Sequence, residues 1–157
     1  MINSYPIPTL TAIEINNHLL VATQNNRRRH PKILHKAGDA FNQVFNFMMR
    51  DSYMHPHLHP GVEKIEKIYI VSGKVSVLYF NDSGGCINST LLEKGGVEHI
   101  EIPAYMWHTY VVLTEHAVTY ETMMGVYDPD TWKQLADWAP REDDIKSKNY
   151  LHQLKGY

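Results

Sequence analysis

Three histidines stand at alternate positions in the segment His55-Pro56-His57-Leu58-His59. Alternate residues of an extended strand project to one face, so His57 and His59 aim their imidazoles the same way, with Cα atoms roughly 6.5 Å apart. Two neutral imidazoles that converge with a carboxylate make half of a transition-metal site. Carboxylates follow close by, at Glu63 and Glu66, the latter opening the strand-like run Glu66-Lys67-Ile68-Tyr69-Ile70-Val71-Ser72-Gly73. His55 shares the face but lies roughly 13 Å from His59, too far to reach the same ion, and is read as pocket wall behind the ligands. Ligands for the other half must come from an opposing wall. His108 is the candidate, because Pro103 ends one strand with a turn and His108 opens the next.

These residues need a β-rich frame, and the chain reads as one. A capping box, Thr11-Ala12-Ile13-Glu14, starts a helix of about three turns. Leu10, Ile13, Asn17, Leu20 and Val21 fall on helical spacing, and Asn25-Asn26 ends the helix. From about Lys32 to Met124 the pattern is strands and turns. Phe45, Phe47 and Met49 alternate with Asn46 and Met48, and Val75–Phe80 is strongly β-prone. The turn cluster 81–85 closes a hairpin onto Cys86–Leu92, and His99–Ile102, His108–Leu113 and Val118–Met123 supply further strands. Short strands at this spacing predict a sandwich or barrel. A short helix over Trp132–Trp138 and another within Asp143–Leu154 are expected in the tail.

Bulk properties exclude several classes. The chain has 157 residues and a net charge of −2, which argues against a general nucleic-acid binder. A single cysteine, Cys86, excludes an intramolecular disulfide framework. There is no apolar run of about 18 residues to cross a membrane, and Met1–Pro6 lacks the features of a secretion signal, so a cytoplasmic protein is expected. Arg27 and Arg29, in the run Arg27-Arg28-Arg29, can hold one carboxylate or phosphate. His18 reads as exposed, while Tyr105, Trp107, Tyr110 and Tyr127 fit either a pocket or ordinary core.

The two histidine segments resemble the motifs of the cupin family. The first is His57-Leu58-His59, then Glu66, six residues and Gly73; the second is Pro103, four residues and His108. The resemblance implies a mainly β fold, a double-stranded β-helix (jelly-roll) barrel, here with an N-terminal helix and short C-terminal helices. It implies His57, His59, Glu66 and His108 as ligands of one divalent metal ion: Fe, Mn, Zn or Ni. The chain departs from the common motif in three ways. The gap from His59 to Glu66 is longer, which leaves Glu63 as a rival; the first motif's leading Gly position holds Asp51; and the second motif's usual Gly and Asn positions hold Tyr105 and Val112. Glu66 is preferred for its spacing to Gly73 and its strand parity with Ile68 and Ile70.

A narrower resemblance is to the WbuC-type cupin-fold metalloproteins, which are bacterial and associated with surface-polysaccharide gene clusters. It runs from Arg27-Arg28-Arg29 and His35, through Asp51-Ser52-Tyr53, to Tyr127-Asp128-Pro129 and Trp138-Ala139-Pro140-Arg141-Glu142. One cupin domain is expected over 1–157, divided into a helix and basic loop (1–31), the barrel (32–124) and an extension (125–157). Arg27, Arg29, His35 and His55 become candidate contacts for a small anionic or sugar-like ligand. Three imidazoles and a carboxylate would leave an octahedral ion two open positions. That implies Lewis-acid isomerase or epimerase chemistry, with a dioxygenase or a non-catalytic binding module as alternatives. Exposed edge strands also offer a route to a homodimer.

Overall fold

The computed structural model describes residues 7–157. The N-terminal hexapeptide, read above for a secretion signal, lies outside the described residues. Ten strands and two helices follow: α1 (Ala12–Gln24), β1 (Arg29–Ile33), β2 (Phe41–Met49), β3 (His57–Leu58), β4 (Glu66–Ser72), β5 (Val75–Phe80), β6 (Cys86–Leu92), β7 (His99–Ile102), β8 (Trp107–Val112), β9 (His116–Met124), β10 (Gln134–Leu135) and α2 (Ser147–Leu154). Two five-stranded antiparallel sheets face each other, ordered β1-β2-β9-β4-β7 and β10-β3-β8-β5-β6. This is the expected jelly-roll barrel.

Strand parity sorts every side chain. Inward positions on β4 are Glu66, Ile68 and Ile70, and on β8 His108, Tyr110 and Val112. In both strands the polar group comes first and the apolar groups follow. The apolar ends meet in one cluster that includes Met48, Ile68, Ile70, Val75, Val77, Tyr110 and Val112, while the polar ends are left together at the other end of the barrel.

Both sheets are also covered outside. Phe45, Phe47, Val118 and Tyr120 on the outer face of the first sheet pack against Leu19 and Ala22 of α1. Leu78, Phe80 and Val111 of the second sheet pack against Leu151 and Leu154 of α2. Each sheet therefore has two inside faces, and burial of this apolar surface is the main stabilising term.

The N-terminal helix forms as its sequence requires. The Thr11 side chain accepts from the Glu14 amide, and the Glu14 carboxylate accepts from the Thr11 amide. Its buried face is not the expected one. Ile13 is 73% exposed, and Leu20 and Val21 also face outward, while Leu19 and Ala22 are buried. The helix has two apolar stripes, and the aromatic surface of the sheet selects the second. Three further differences concern local structure. His18 stacks on Phe47 at 4.7 Å and is half-buried. Strand β1 begins at Arg29, which takes that residue out of the expected basic loop. The helix expected over Trp132–Trp138 is instead turns around β10, because Leu135 pairs with His57 and Gln134 with Leu58. The tail's single helix among the described residues is α2.

Gly73 closes the β4–β5 turn with φ +77°, and a Cβ there would stand 2.4 Å from the His116 carbonyl oxygen. Only glycine meets both conditions. Gly73→Ala should cost about 1–3 kcal/mol. In a chain of this size that lowers the melting temperature by roughly 3–10 °C, measurable by calorimetry.

Candidate metal centre

His57, His59, Glu66 and His108 come together in the polar end of the barrel. All four are buried, and each offers one ligand atom within 4.8 Å of the others. His57 and His108 are directly paired between β3 and β8. Glu66 arrives from the opposite sheet on β4. Glu63, the rival carboxylate, is exposed and outside this group. The turn before β8 is held by the Tyr105 amide, which donates to the His59 carbonyl at 3.0 Å. Tyr105 has φ +62°, a left-handed conformation that explains why the motif it resembles has glycine there.

Each imidazole is oriented by a backbone carbonyl. Nδ1 of His57 donates to the His55 carbonyl (2.9 Å), Nδ1 of His59 to that of Trp132 (2.8 Å), and Nδ1 of His108 to that of Met106 (2.8 Å). A carbonyl only accepts, so all three Nδ1 atoms carry hydrogen, and each neutral ring presents a lone pair at Nε2. Such carbonyl contacts are how metal-binding histidines are commonly held.

The lone pairs face another acceptor. Glu66 Oε2 lies 3.0 Å from His108 Nε2 and 3.2 Å from His59 Nε2. His59 Nε2 is off the line of a hydrogen bond and has no other partner. Buried acceptors that face one another repel unless a proton or a metal ion stands among them. The four ligand atoms, all within 4.8 Å of one another, would need only small shifts to hold one ion. The donor set fits a divalent transition metal.

Electrostatics agree with that arrangement. Burial, then repulsion from His108 and His59, holds the His57 imidazole well below its usual range and keeps it neutral. Burial opposes ionisation of Glu66, but the His108 and His59 imidazoles beside it outweigh burial and hold its carboxyl well below the usual range. His59 is raised: burial lowers it, and Glu66 more than compensates.

A cavity of about 290 Å³ opens onto His57, His59 and Glu66. It contains Tyr110, one of the aromatic residues read as pocket or core, and Glu121, which the sequence did not flag. Tyr110 donates its hydroxyl to Glu66 Oε1 at 2.6 Å. Glu121, on β9, also lines the cavity and is bonded by the Asn46 amide and the Thr119 hydroxyl. Burial and the nearby Glu66 charge push the Glu121 carboxyl up to about 8. The alternation Val118, Thr119, Tyr120, Glu121 was visible, but a polar face ordinarily reads as the solvent side. Here the apolar side faces α1 and the polar side faces the cavity.

The remaining candidates divide. Arg27 and Arg29 line the metal cavity, but Glu142 already meets both, at 2.8 Å and 2.5 Å. His55 is buried, and its Nε2 bonds the Ala136 carbonyl at 2.7 Å. Its side chain lines a neighbouring cavity instead, and its carbonyl orients His57. Nδ1 of His35 accepts from the Gln43 amide between β1 and β2, and the residue lines neither cavity. Tyr105 and Tyr127 are exposed, and Trp107 packs outside the second sheet.

Burial alone would raise Glu142, but Arg27 and Arg29 hold it at about 2. A carboxyl depressed in the folded state stabilises above its unfolded value, near 4.5 here, and loses that contribution as pH falls toward about 2. The difference in melting temperature between the wild type and Glu142→Gln should therefore be constant near neutral pH and shrink steadily below about pH 4.5.

Comparison with known proteins supports the fold. The chain is similar to CapF crystallised with the inhibitor 3-isopropenyl-tropolone: 20% identity, TM-score 0.60, 71% of this chain and 32% of that one. It is similar to the DMSP lyase DddQ from Ruegeria pomeroyi DSS-3: 18% identity, TM-score 0.55, 72% and 54%. It also matches recombinant oxalate oxidase in complex with glycolate: 15% identity, TM-score 0.55, 72% and 57%. The chain thus spans from about a third to under two thirds of the length of these proteins, and the likeness is one of fold, the cupin fold. No curated protein matches it. A family model described as a domain of unknown function (DUF6016) matches residues 10–92, which include His57, His59 and Glu66, and the chain belongs to that family.

Proposed function

We propose that this protein is a cupin-fold metalloenzyme of the WbuC type. In this reading it holds one divalent transition metal through His57, His59, Glu66 and His108 and acts on a small, polar, sugar-type ligand. The observation that carries the proposal is the convergence of three carbonyl-oriented imidazoles, each presenting Nε2, on one buried carboxylate. A purely structural ion would need no cavity beside it, and a cavity lies open to three of the four groups.

When bound, a divalent ion supplies Lewis-acid polarisation of ligand oxygens. The chain's own residues supply the rest. Glu121 stands in the cavity wall as a carboxyl able to take up or return a proton near neutral pH. Tyr110 fixes the second oxygen of Glu66, so that this carboxylate keeps one orientation. The apolar cluster beneath Tyr110 excludes water and lowers the local dielectric. A cavity that holds a proton-transferring carboxyl favours isomerisation or epimerisation over mere ligand storage. A role in bacterial surface-polysaccharide metabolism, in the cytoplasm and as a single domain, follows from the WbuC resemblance. The fold likeness to a capsular polysaccharide assembling protein from Staphylococcus aureus lies in the same direction.

Elemental analysis of protein purified without an affinity tag should give about one transition-metal ion per chain. His57→Ala and His108→Ala should give almost none, and a metal-free wild type grown in replete medium would overturn the proposal. Glu66→Gln should lose most of the metal, whereas Glu63→Gln should keep it, which decides the carboxylate by the same measurement. Because the metal binds only the folded chain, adding it back should raise the melting temperature of the wild type and not of His108→Ala.

A further inference from the structure

A second and larger cavity, of about 1010 Å³, adjoins the metal centre, and Arg27 and Lys133 line both. Six of its lining side chains are cationic and three are acidic. Three of the cations are matched: Arg27 by Glu142, Arg28 by Asp51 at 3.0 Å, and Arg141 by Asp143 at 3.6 Å. Lys155 donates to the Arg50 carbonyl. Lys133 and Lys148 form no ion pair and no side-chain hydrogen bond among the described residues, and both are exposed to solvent.

A chain of net charge −2 thus gathers three unmatched positive charges in one concavity. Like charges held together in a cleft repel, and a cleft with low-dielectric walls focuses their field on what enters it. An anion of charge about −2 relieves that repulsion. Arg27 and Arg29 are already satisfied by Glu142, so the groups left to bind an anion are the lysines, which act as point charges suited to phosphate.

We infer that this basic cavity is a phosphate subsite, which holds the phosphate group of a small phosphate ester on Lys133 and Lys148. The anion site rests on the cavity's own lining. Only the orientation of the ester's other end toward the metal centre rests on the function proposed above. Lys133, present in both walls, marks the point where the two parts of such a ligand would meet.

Calorimetric titration of the untagged full-length protein with inorganic phosphate at low salt tests this. Saturable one-site binding is expected, with glycerol phosphate displacing it. Lys133→Ala and Lys148→Ala should each weaken binding at least about ten-fold, the loss of one charge-assisted contact, and the corresponding Arg variants should retain it. Both positions are exposed, so the Ala variants should keep the wild-type melting temperature. His57→Ala should bind phosphate as the wild type does. The inference is overturned by absence of saturable binding or by binding that survives Lys133→Ala and Lys148→Ala together. Phosphate binding lost in His57→Ala also overturns it, because the ion would then sit on the metal. A metal-free wild type that still binds phosphate would remove the metal proposal and leave this one standing.

Discussion

The polar end of this barrel is governed by one constraint: four electron-pair donors are buried facing each other. His57, His59 and His108 present Nε2 to the Glu66 carboxylate, and none of the rings can turn away, because each Nδ1 is committed to a carbonyl. Such an arrangement is unfavourable on its own and favourable around a cation. The three carbonyls come from widely separated parts of the chain: the approach to β3, the turn before β8, and the tail at Trp132. The tail therefore belongs to the site even though it supplies no ligand. Its pairing through β10 and its Glu142 contacts with Arg27 and Arg29 keep that carbonyl in place.

The barrel can hold such a cluster because the rest of it is apolar and covered. The inner positions of β4 and β8 pass from Glu66 and His108 to Ile70 and Val112 within two strand repeats. Helices α1 and α2 close the outer faces, so neither sheet relies on the polar end for its core. The facing imidazoles and the Glu66 carboxylate are thereby gathered at one end, where the cavity lies.

Charge is arranged in the same graded way. The innermost groups are the neutral imidazoles and the Glu66 carboxylate; next comes Glu121, raised toward neutrality by burial and by Glu66; farther out, Glu142 is held ionised by two arginines. Of the unmatched lysines, Lys133 lines both cavities and Lys148 the larger one.

The sequence by itself determined the local facts. Alternation set His57 beside His59, parity grouped Glu66 with Ile68 and Ile70, and turn residues placed the β5–β6 hairpin. A capping box began α1. Each of these depends on neighbours within a few residues, where backbone geometry leaves few choices. Tertiary structure decided which face is inside. It turned Leu19 and Ala22 of α1 inward and Ile13 outward, although both stripes are apolar. It put the polar side of β9 into the cavity, made the 132–138 segment a strand partner of His57, and matched Arg27 and Arg29 with a glutamate more than a hundred residues away. Those outcomes depend on what stands opposite each face, and a periodicity records only that two faces differ.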